Sequence, residues 1–300
     1  MNIFAIIVTY NAMRRNWIER CLQSLQESTV PVTPIVVDNG STDGTRDYVP
    51  SQHPAVIWLP QDRNLGFGQA NNMGFRYALE HGADCVLLLN QDATLHPKAL
   101  QRLLEASDGK SLLSPLQLNG EGSGLDFLFK YVLLQADHTA IDDALVGKGL
   151  QTYYEGGKYA AACWLIPVLL LQEIGGFNPL FFQYSEDYNY LHRLNYHQYK
   201  TRLVPQAHMY HDRNQHCDNA VFMRRLLHRD MLLIACNINL SFVQCLWQWG
   251  KLLVLRYVRD LPKRQYLPGS FVYEAGWLIA HAASIRKSRE MEKQKGSSWL

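Results

Sequence analysis

Short apolar runs alternate with segments of helical periodicity through the first hundred residues. Residues 3–9 are apolar and rich in β-branched side chains, which is typical of a strand buried on both faces. Residues 17–27 carry apolar side chains at helical spacing instead. Further strands are predicted at 34–37, 56–59 and 85–89, and further helices at 67–81 and 97–106. The alternation predicts an α/β fold with a doubly wound, mostly parallel sheet and helices on both faces.

The pattern changes twice beyond this region. Residues 119–157 are less regular, have glycine-rich patches at both ends, and predict a variable excursion over the ligand site. Regular structure resumes at about residue 160. A helix is then predicted at 186–197 and a strand near 202–204, with the polar segment 208–211 after it. Long helical patterns follow, so we predict an α/β domain over 1–215 and a basic, amphipathic helical extension over 216–300.

Three polar clusters directly follow predicted strands, at 9–11, 38–41 and 90–92. Parallel α/β sheets bind ligands outside the carboxyl ends of their strands. A carboxylate at Asp92 can hold a divalent cation against a diphosphate, whereas a helix-capping aspartate is the alternative. Asp38 can accept hydrogen bonds from a nucleobase or build an Asx turn. Both interpretations remain open at each position.

The segment 64–72 superficially resembles a glycine-rich phosphate loop. It has neither the G-x-G-x-x-G spacing nor a G-K-[ST] ending, which excludes a dinucleotide-binding fingerprint and a P-loop. A helix that begins near Phe67 can still present backbone N–H groups to an anion.

Glu186 and Asp187 follow an aromatic stretch at the predicted start of a helix. A carboxylate there suits a general base that takes a proton from a hydroxyl. The alternative is that Ser185 caps the helix and the acids complement its dipole. Adjacent helical side chains point about 100° apart, so we expect one acid in each role. His211 follows a late strand, and an imidazole there can complete a metal site with Asp92.

The net charge of +2 conceals an asymmetry. Residues 220–300 contain 13 Lys and Arg against 5 Asp and Glu, a net charge of +8 that points to a polyanionic surface. Residues 232–255 are largely apolar but interrupted by polar side chains, which favours an interfacial element over a spanning helix. Helices that pack on the domain with a basic outer face are the equal alternative. No nucleic-acid motif accompanies the charge, so nucleic acid is not expected as a partner.

The cysteines and the N-terminus bear on the compartment. The six cysteines are scattered without a C-x-x-C pair, which suits reduced, buried thiols. The N-terminus leads directly into a predicted strand and lacks a basic n-region, so we interpret it as structure and not as a signal peptide. The expected location is the cytoplasm, with peripheral attachment at the inner face of the cell membrane left open.

Taken in order, these motifs resemble one known family. Val8–Asn11, Val36–Ser41, Asn64–Phe67, Asn90–Asp92 and the Gly175-Gly176-Phe177…Glu186-Asp187…His211 series resemble the family 2 inverting glycosyltransferases of the GT-A fold, particularly the rhamnosyltransferase-like branch. The resemblance spans roughly residues 1–215. It implies transfer of rhamnose or another hexose from a UDP- or dTDP-sugar to a glycan hydroxyl, with Mn²⁺ or Mg²⁺ as cofactor, in cell-surface polysaccharide or lipid-linked glycan assembly.

The resemblance also implies roles by position. Asp187 would be the catalytic base, Asp92 and His211 would bind the metal, and Trp164 and Glu186 would lie on the acceptor side. The residues implied to contact the nucleotide-sugar are Thr9, Tyr10, Asn11, Asp38, Asn64, Gly66, Asn71, Gln91 and Asp92. The family's D-x-D motif reads Asn90-Gln91-Asp92 here, so one carboxylate stands where the family has two.

The expected partners are a nucleotide-sugar donor and a glycan or lipid-linked glycan acceptor; an anionic membrane surface and a second copy of the chain stay open. Two other functions were weighed. A sugar nucleotidyltransferase needs a basic, glycine-rich triphosphate loop, and Arg14 and Arg15 lack such glycines. A catalytically degenerate binding subunit of a membrane complex has the lost first aspartate as its support.

Overall fold

The structure, a computed structural model, describes residues 1–135, 138–213, 220–260 and 270–300. These residues form one nine-stranded sheet. The strands are β1 (Ile3–Thr9), β2 (Thr33–Asp38), β3 (Ile57–Pro60), β4 (Cys85–Leu89), β5 (Ala93–Leu95), β6 (Leu112–Asn119), β7 (Tyr154–Glu155), β8 (Cys163–Pro167) and β9 (Thr201–His211). Their order is β3-β2-β1-β4-β8-β6-β9-β5, and β7 pairs with β9.

Helices cover the sheet and form the C-terminal part of the chain. On the sheet lie α1 (Trp17–Gln26), α2 (Thr45–Gln52), α3 (Phe67–Glu80), α4 (Ala99–Glu105), α5 (Phe127–Gln135), α6 (Thr139–Leu145), α7 (Val168–Ile174) and α8 (Glu186–Tyr196). The extension comprises α9 (Ala220–Cys236), α10 (Phe242–Asp260), α11 (Ser270–Ala280) and α12 (Ala282–Glu292). None of the helices within the described ranges is long and apolar enough to cross a lipid bilayer.

Strands β1 to β4 form the parallel half of the sheet, as the sequence predicts. Successive side chains of β1 enter two different cores. Ile3, Ala5 and Ile7 pack in the cluster that contains α1, whereas Phe4 and Ile6 pack in the cluster that contains α3. Burial on both faces explains the unbroken apolar run, because no position of the strand is left facing water.

The second half of the sheet is mixed and was only partly predicted. Strand β8 is antiparallel to both β4 and β6, whereas β6 is parallel to β9. The strand predicted near 202–204 continues to His211 as β9, so the prediction that 208–211 follows the strand is wrong. The register between β6 and β9 shifts between Pro115 and Leu116. Strands β5, β6 and β7 were not predicted, and the excursion at 119–157 contains α5, α6 and β7.

The helical extension packs against the α/β domain. The predicted boundary at 215/216 lies outside the described residues. Helices α10, α11 and α12 all contact α9. Helix α12 also contacts the α/β domain. There the Asn178 side-chain amide donates to Ser288 Oγ at 2.7 Å and to Glu292 Oε1 at 2.8 Å. The Gly176 N–H donates to the Ser298 carbonyl at 2.9 Å.

The Arg193 side chain links the α/β domain to the C-terminal extension. Its side chain is buried, and its guanidinium donates to the carbonyls of Ile174 and Gly176. The guanidinium lies 3.8 Å from the buried Glu292 carboxylate and stacks over the ring of Trp299. One cation therefore serves α8, the turn after α7 and the C-terminal segment at once.

We expect Arg193→Met to lower the free energy of unfolding by about 3 kcal/mol or more, since it leaves buried carbonyls and the Glu292 carboxyl without their cation. Urea unfolding followed by circular dichroism measures the change. Lys293→Met is the matched control, because Lys293 is exposed and forms a surface ion pair with the exposed Glu290. It should shift stability by less than about 0.5 kcal/mol. Equal losses in the two variants would contradict the role assigned to Arg193.

Candidate active site

The carboxyl ends of β1, β2 and β4 are tied together by side-chain hydrogen bonds. Thr9 Oγ1 donates to Asp38 Oδ1 at 3.1 Å, joining β1 to β2. The Tyr10 N–H donates to Gln91 Oε1 at 2.8 Å, joining β1 to β4. Asn11 then donates its N–H to Ser41 Oγ at 3.0 Å. The three polar clusters singled out in the sequence therefore lie at one edge of the sheet.

Asp38 is fully buried beneath this edge. One carboxylate oxygen accepts from Thr9, and the other accepts the Ser41 N–H at 3.2 Å and lies 3.2 Å from Arg46 Nε. The structure therefore shows the turn-building role for Asp38, with Arg46 closing over it. Tyr10 is nearby with its side chain 47% exposed.

The 64–67 loop docks against the segment before α8. Asn39 receives the Leu65 N–H at 2.7 Å and donates to Asn64 Oδ1 at 3.0 Å. Gly66 has a φ of +82°, and a Cβ there would lie 1.9 Å from the Phe182 carbonyl oxygen. A side chain at Gly66 would thus push these segments apart.

Asn71 lies behind the same loop. Its side chain is buried, and its amide donates to the Phe67 carbonyl at 2.9 Å. The structure therefore places Asn71 as a support for the first turn of α3, whereas Asn64 is partly exposed and Gly66 is buried against Phe182.

Asp92 and His211 come together as the sequence predicts. Asp92 Oδ1 lies 3.2 Å from His211 Nε2, and the Asn90 side-chain nitrogen lies 3.5 Å from the same imidazole nitrogen. The backbone enforces this approach, because Ala93 of β5 pairs with His211 of β9. His211 is buried and Asp92 is partly exposed, so the pair opens on one side only.

This pair fits a divalent cation as two ligands of an incomplete shell. One carboxylate oxygen and one imidazole nitrogen suit Mn²⁺ or Mg²⁺, with diphosphate oxygens and water in the remaining positions. Within the described ranges, no group of three or more His, Cys, Asp or Glu side chains is arranged to hold a metal alone. Substrate oxygens are therefore needed to complete the coordination.

Two residues beside His211 were missed by the sequence analysis. Arg213 Nε forms an ion pair with Asp126 Oδ2 at 2.9 Å and lies 3.2 Å from His211 Nδ1. Asp126 is buried, and its other oxygen accepts the Phe129 N–H at 3.0 Å at the start of α5. Asp126 and His211 are 85 positions apart, and the only signal near Asp126 is the glycine-rich stretch that precedes it.

Asp187 and Glu186 take different positions at the start of α8, as expected. Asp187 is half-buried; it accepts the Tyr188 N–H at 2.8 Å and the Ala161 N–H at 3.4 Å. Glu186 is only 4% exposed, and its Oε2 has no hydrogen-bond partner among the described residues. Ser185 makes no side-chain capping bond to α8 and has a left-handed φ of 69°, so the capping alternative is wrong for Ser185.

Burial governs the protonation of both carboxyls. It raises the pKa of Glu186 to about 8, and the negative charge of Asp187 is the second cause. Burial also raises the pKa of Asp187, although the backbone N–H groups of Tyr188 and Ala161 oppose the rise. Its raised pKa therefore keeps Glu186 protonated at neutral pH.

We expect Glu186→Gln to remove a pH dependence of stability. The folded pKa of Glu186 lies above its ordinary value of 4.5, so its protonated form stabilises the native state at low pH, and this stability is lost as the pH rises toward 8. At pH 8.5 the variant should be more stable than the unmodified protein, by on the order of 2 kcal/mol, and the two should converge near pH 4.5. Urea unfolding across this range tests the prediction, with Glu121→Gln on the exposed excursion as control. Parallel pH curves for Glu186→Gln and the unmodified protein would refute it.

The placement of Trp164 on the acceptor side is wrong. Trp164 is fully buried in β8, its indole N–H donates to the Tyr159 carbonyl at 3.1 Å, and its ring packs beside Phe177 and Tyr190. Because β8 is buried on both faces, the Trp164 side chain has no exposed surface that could contact an acceptor. The exposed aromatic residues near Asp187 are Phe182 and Tyr184 instead.

The family comparison agrees with this geometry. The glycosyl transferase family 2 model matches residues 4–112, which contain the β1, β2 and β4 edge and Asp92. The protein therefore contains a glycosyl transferase family 2 domain. Curated relatives extend the resemblance beyond residue 112.

Two curated relatives carry rhamnosyl transfer in their names. This glycosyltransferase is 27% identical over 218 residues to the N-acetylglucosaminyl-diphospho-decaprenol L-rhamnosyltransferase of Mycobacterium tuberculosis, covering 65% of this chain and 71% of the relative. It is 32% identical over 102 residues to the dTDP-rhamnosyl transferase RfbF of Shigella flexneri, covering 34% of this chain and 33% of the relative.

The fold is shared with a solved glycosyltransferase. The mannosyltransferase PcManGT from Pyrobaculum calidifontis, solved in complex with GDP-Man and Mn²⁺, superposes with a TM-score of 0.57 at 17% identity. The match covers 94% of this chain and 75% of that protein. It confirms the predicted GT-A fold with its additional C-terminal helices.

Proposed function

We propose that this glycosyltransferase moves rhamnose or another hexose from a UDP- or dTDP-sugar to a hydroxyl of a lipid-linked glycan, with inversion at the anomeric carbon. One observation carries the proposal: residues 161–162 connect the candidate base to the candidate metal pair. The Ala161 N–H donates to Asp187, and the Ala162 carbonyl accepts the Asn90 N–H at 2.9 Å. This short connection supports a shared site for the proposed base and the proposed diphosphate-binding edge.

The donor side is the polar edge of β1, β2 and β4. Its exposed groups include the ring of Tyr10, which offers a stacking face to a nucleobase. The partly exposed Asn64 borders the same edge, beside the N-terminus of α3, whose first-turn N–H groups favour an anion. The Shigella relative named for dTDP-rhamnosyl transfer supports a deoxythymidine or uridine diphosphate donor.

The chemistry follows from the position of Asp187. As an acceptor hydroxyl oxygen attacks the anomeric carbon, its proton passes to the Asp187 carboxylate. The bond from that carbon to the diphosphate oxygen breaks in the same step, and its electron pair leaves with the nucleoside diphosphate. Attack opposite the leaving group inverts the anomeric centre, and a single base suffices, whereas glycoside hydrolysis uses two carboxylates.

Asp92 and His211 would hold Mn²⁺ or Mg²⁺ at the diphosphate. When bound, the cation supplies neutralisation of the negative charge on the leaving group. Asn90 is neutral, so it adds no second carboxylate to the site. Arg213 lies beside His211 and Asp126 and brings a guanidinium to the same edge.

A lipid-linked acceptor is supported by the surface next to this edge. Helix α5 begins at Phe127, directly after Asp126, and its exposed side includes the apolar residues Phe127, Tyr131 and Leu134. Apolar side chains at the mouth of a polar site suit an acceptor with a hydrophobic carrier. The mycobacterial relative, whose name includes a diphospho-decaprenol, supports the same acceptor class. We propose the cytoplasmic face of the membrane as the site of the reaction.

A nucleotide-release assay tests the proposal. Purified protein is incubated with UDP- and dTDP-sugars, Mn²⁺ and a short-chain prenyl diphosphate N-acetylglucosamine, and products are separated by chromatography. Acceptor-dependent release of free nucleoside diphosphate from one donor is expected, together with a β-to-α or α-to-β change in the product. Pyrophosphate release would indicate nucleotidyl transfer, and donor binding without release across the panel would indicate a binding subunit; either result overturns the proposal.

A further inference from the structure

Helix α10 has two apolar sides, and only one of them is covered. Cys245, Trp249 and Leu252 lie on the inner side, in or against the cluster that contains α9. At about 100° per residue, the side chains on the outer side span an arc of roughly 140°. This outer apolar face of α10 comprises Phe242, Val243, Leu246, Trp247, Gly250 and Val254.

The exposure of this face is unusually large for apolar side chains. Phe242, Val243 and Trp247 are each 72% exposed. Scattered exposed leucines are ordinary on a protein surface, but a contiguous stripe that includes two aromatic rings marks an interaction surface.

Helix α11 repeats the arrangement. Leu278 and Glu274 are buried on its inner side, whereas Val272, Tyr273 and Ile279 are exposed on its outer side. Both helices pack on α9. Two consecutive helices of the extension therefore expose apolar residues that do not belong to the core around α9.

The positive charge of the extension favours an anionic partner for the outer faces of α10 and α11. Lys251 is exposed beside the apolar arc of α10, and the polar Gln244 and Gln248 complete that flank. Residues 220–300 carry a net charge of +8. A second copy of this chain would bring like charges together, whereas an anionic lipid surface matches both the apolar arc and the cationic flank.

We infer that the outer faces of α10 and α11 lie in the interface of an anionic membrane, with their apolar side chains among the lipid headgroups and upper acyl chains. The inference rests on the proposed function, since a membrane-bound enzyme meets a lipid-linked acceptor in two dimensions. In this inference, the extension holds the active site at the lipid surface and takes no part in the chemical step.

Vesicle flotation of the full-length protein tests the inference. Vesicles contain phosphatidylcholine alone or with about one-third phosphatidylglycerol, so that charge is the variable. The unmodified protein should float with the anionic vesicles. The Phe242→Ser/Trp247→Ser double variant should bind them at least about tenfold less tightly, because two aromatic side chains no longer leave water.

Two matched controls separate this surface from general stickiness. Leu145→Ser/Val146→Ser removes side chains that are 80% and 64% exposed on the α6 side of the chain, and it should bind vesicles within about twofold of the unmodified protein. Lys251→Glu should weaken binding to anionic vesicles by about fivefold or more, whereas Lys110→Glu, on the exposed turn before β6, should not.

Several outcomes would overturn the inference. Equal vesicle binding by the two double variants would do so, as would binding that ignores phosphatidylglycerol and Lys251. A concentration-dependent dimer that the Phe242→Ser/Trp247→Ser variant loses, without vesicle binding, would assign the face to self-association instead. An assay of nucleotide release with a water-soluble acceptor distinguishes this inference from the proposed function. If the unmodified protein binds vesicles but releases no nucleotide, the proposed function is wrong and the membrane inference still holds.

Discussion

Asp187→Asn should lower kcat by about 1000-fold and leave the affinity for the nucleotide-sugar within about twofold. Asparagine keeps the shape of the side chain, and its single carbonyl oxygen can accept one of the two N–H groups, of Tyr188 and Ala161, that donate to separate oxygens of Asp187. It cannot take a proton from the acceptor hydroxyl. Single-turnover rates with saturating donor measure the first quantity, and calorimetric titration of donor without acceptor measures the second.

Glu186→Gln is the matched control for Asp187→Asn, because it removes the adjacent carboxyl. The pKa of Glu186, raised to about 8 by burial, already keeps that group protonated at neutral pH. We therefore expect kcat within about tenfold of the unmodified enzyme. A larger loss in Glu186→Gln than in Asp187→Asn would transfer the role of base to Glu186.

The pH profile gives a second check on the same assignment. A base acts when deprotonated, so kcat/KM should rise with pH as Asp187 loses its proton. Burial raises the pKa of Asp187 above its ordinary value of 3.8, which moves this rise upward from the range of an exposed aspartate. The limb should vanish in Asp187→Asn and persist in Glu186→Gln.

The second large effect is expected at Asp92. Asp92→Asn should weaken Mn²⁺ binding in the presence of nucleoside diphosphate by about 10- to 100-fold and lower kcat/KM by about 100-fold. The reason is that Asn90 is already neutral, so Asp92 is the only carboxylate that this motif offers to the cation. Electron paramagnetic resonance of Mn²⁺ reports binding independently of turnover.

Asn90→Asp is the counterpart of this variant. It places a second carboxylate near His211, whose Nε2 lies 3.5 Å from the Asn90 amide nitrogen, and should tighten Mn²⁺ binding by about tenfold. Asp92→Asn with unchanged Mn²⁺ binding would remove Asp92 from the metal site. Unfolding curves of both variants should match the unmodified protein, since Asp92 is partly exposed.

The membrane inference connects the two parts of the chain that the sequence separated by charge. The sequence left open whether the basic extension packs on the domain or meets a lipid surface. The structure shows that its helices pack on one another and on the domain, through α9, Arg193 and the Asn178 amide. It also shows an apolar face on α10 that this packing leaves exposed. The observed packing on α9 and the inferred lipid contact therefore involve different sides of α10.

The sequence by itself determined the parallel half of the sheet and the residues at its edge. Strand β1 was predicted with its observed limits, because a strand buried on both faces needs an unbroken apolar run. The same reasoning placed 9–11, 38–41 and 90–92 at one edge, since parallel strands end on the same side. The ordered motifs identified the family, and the family match confirms it.

Only the tertiary structure decided which side chains of those motifs are available. Asp38 and Trp164 are buried, and Asn71 supports a loop from behind, although local sequence cannot distinguish an inward from an outward polar residue. The Asp126, Arg213 and His211 cluster depends on β9 meeting the start of α5 across 85 residues. Strands β5, β6 and β7 likewise exist through their pairing with β9. Local patterns record burial and periodicity, whereas long-range pairing is set by how the whole chain packs.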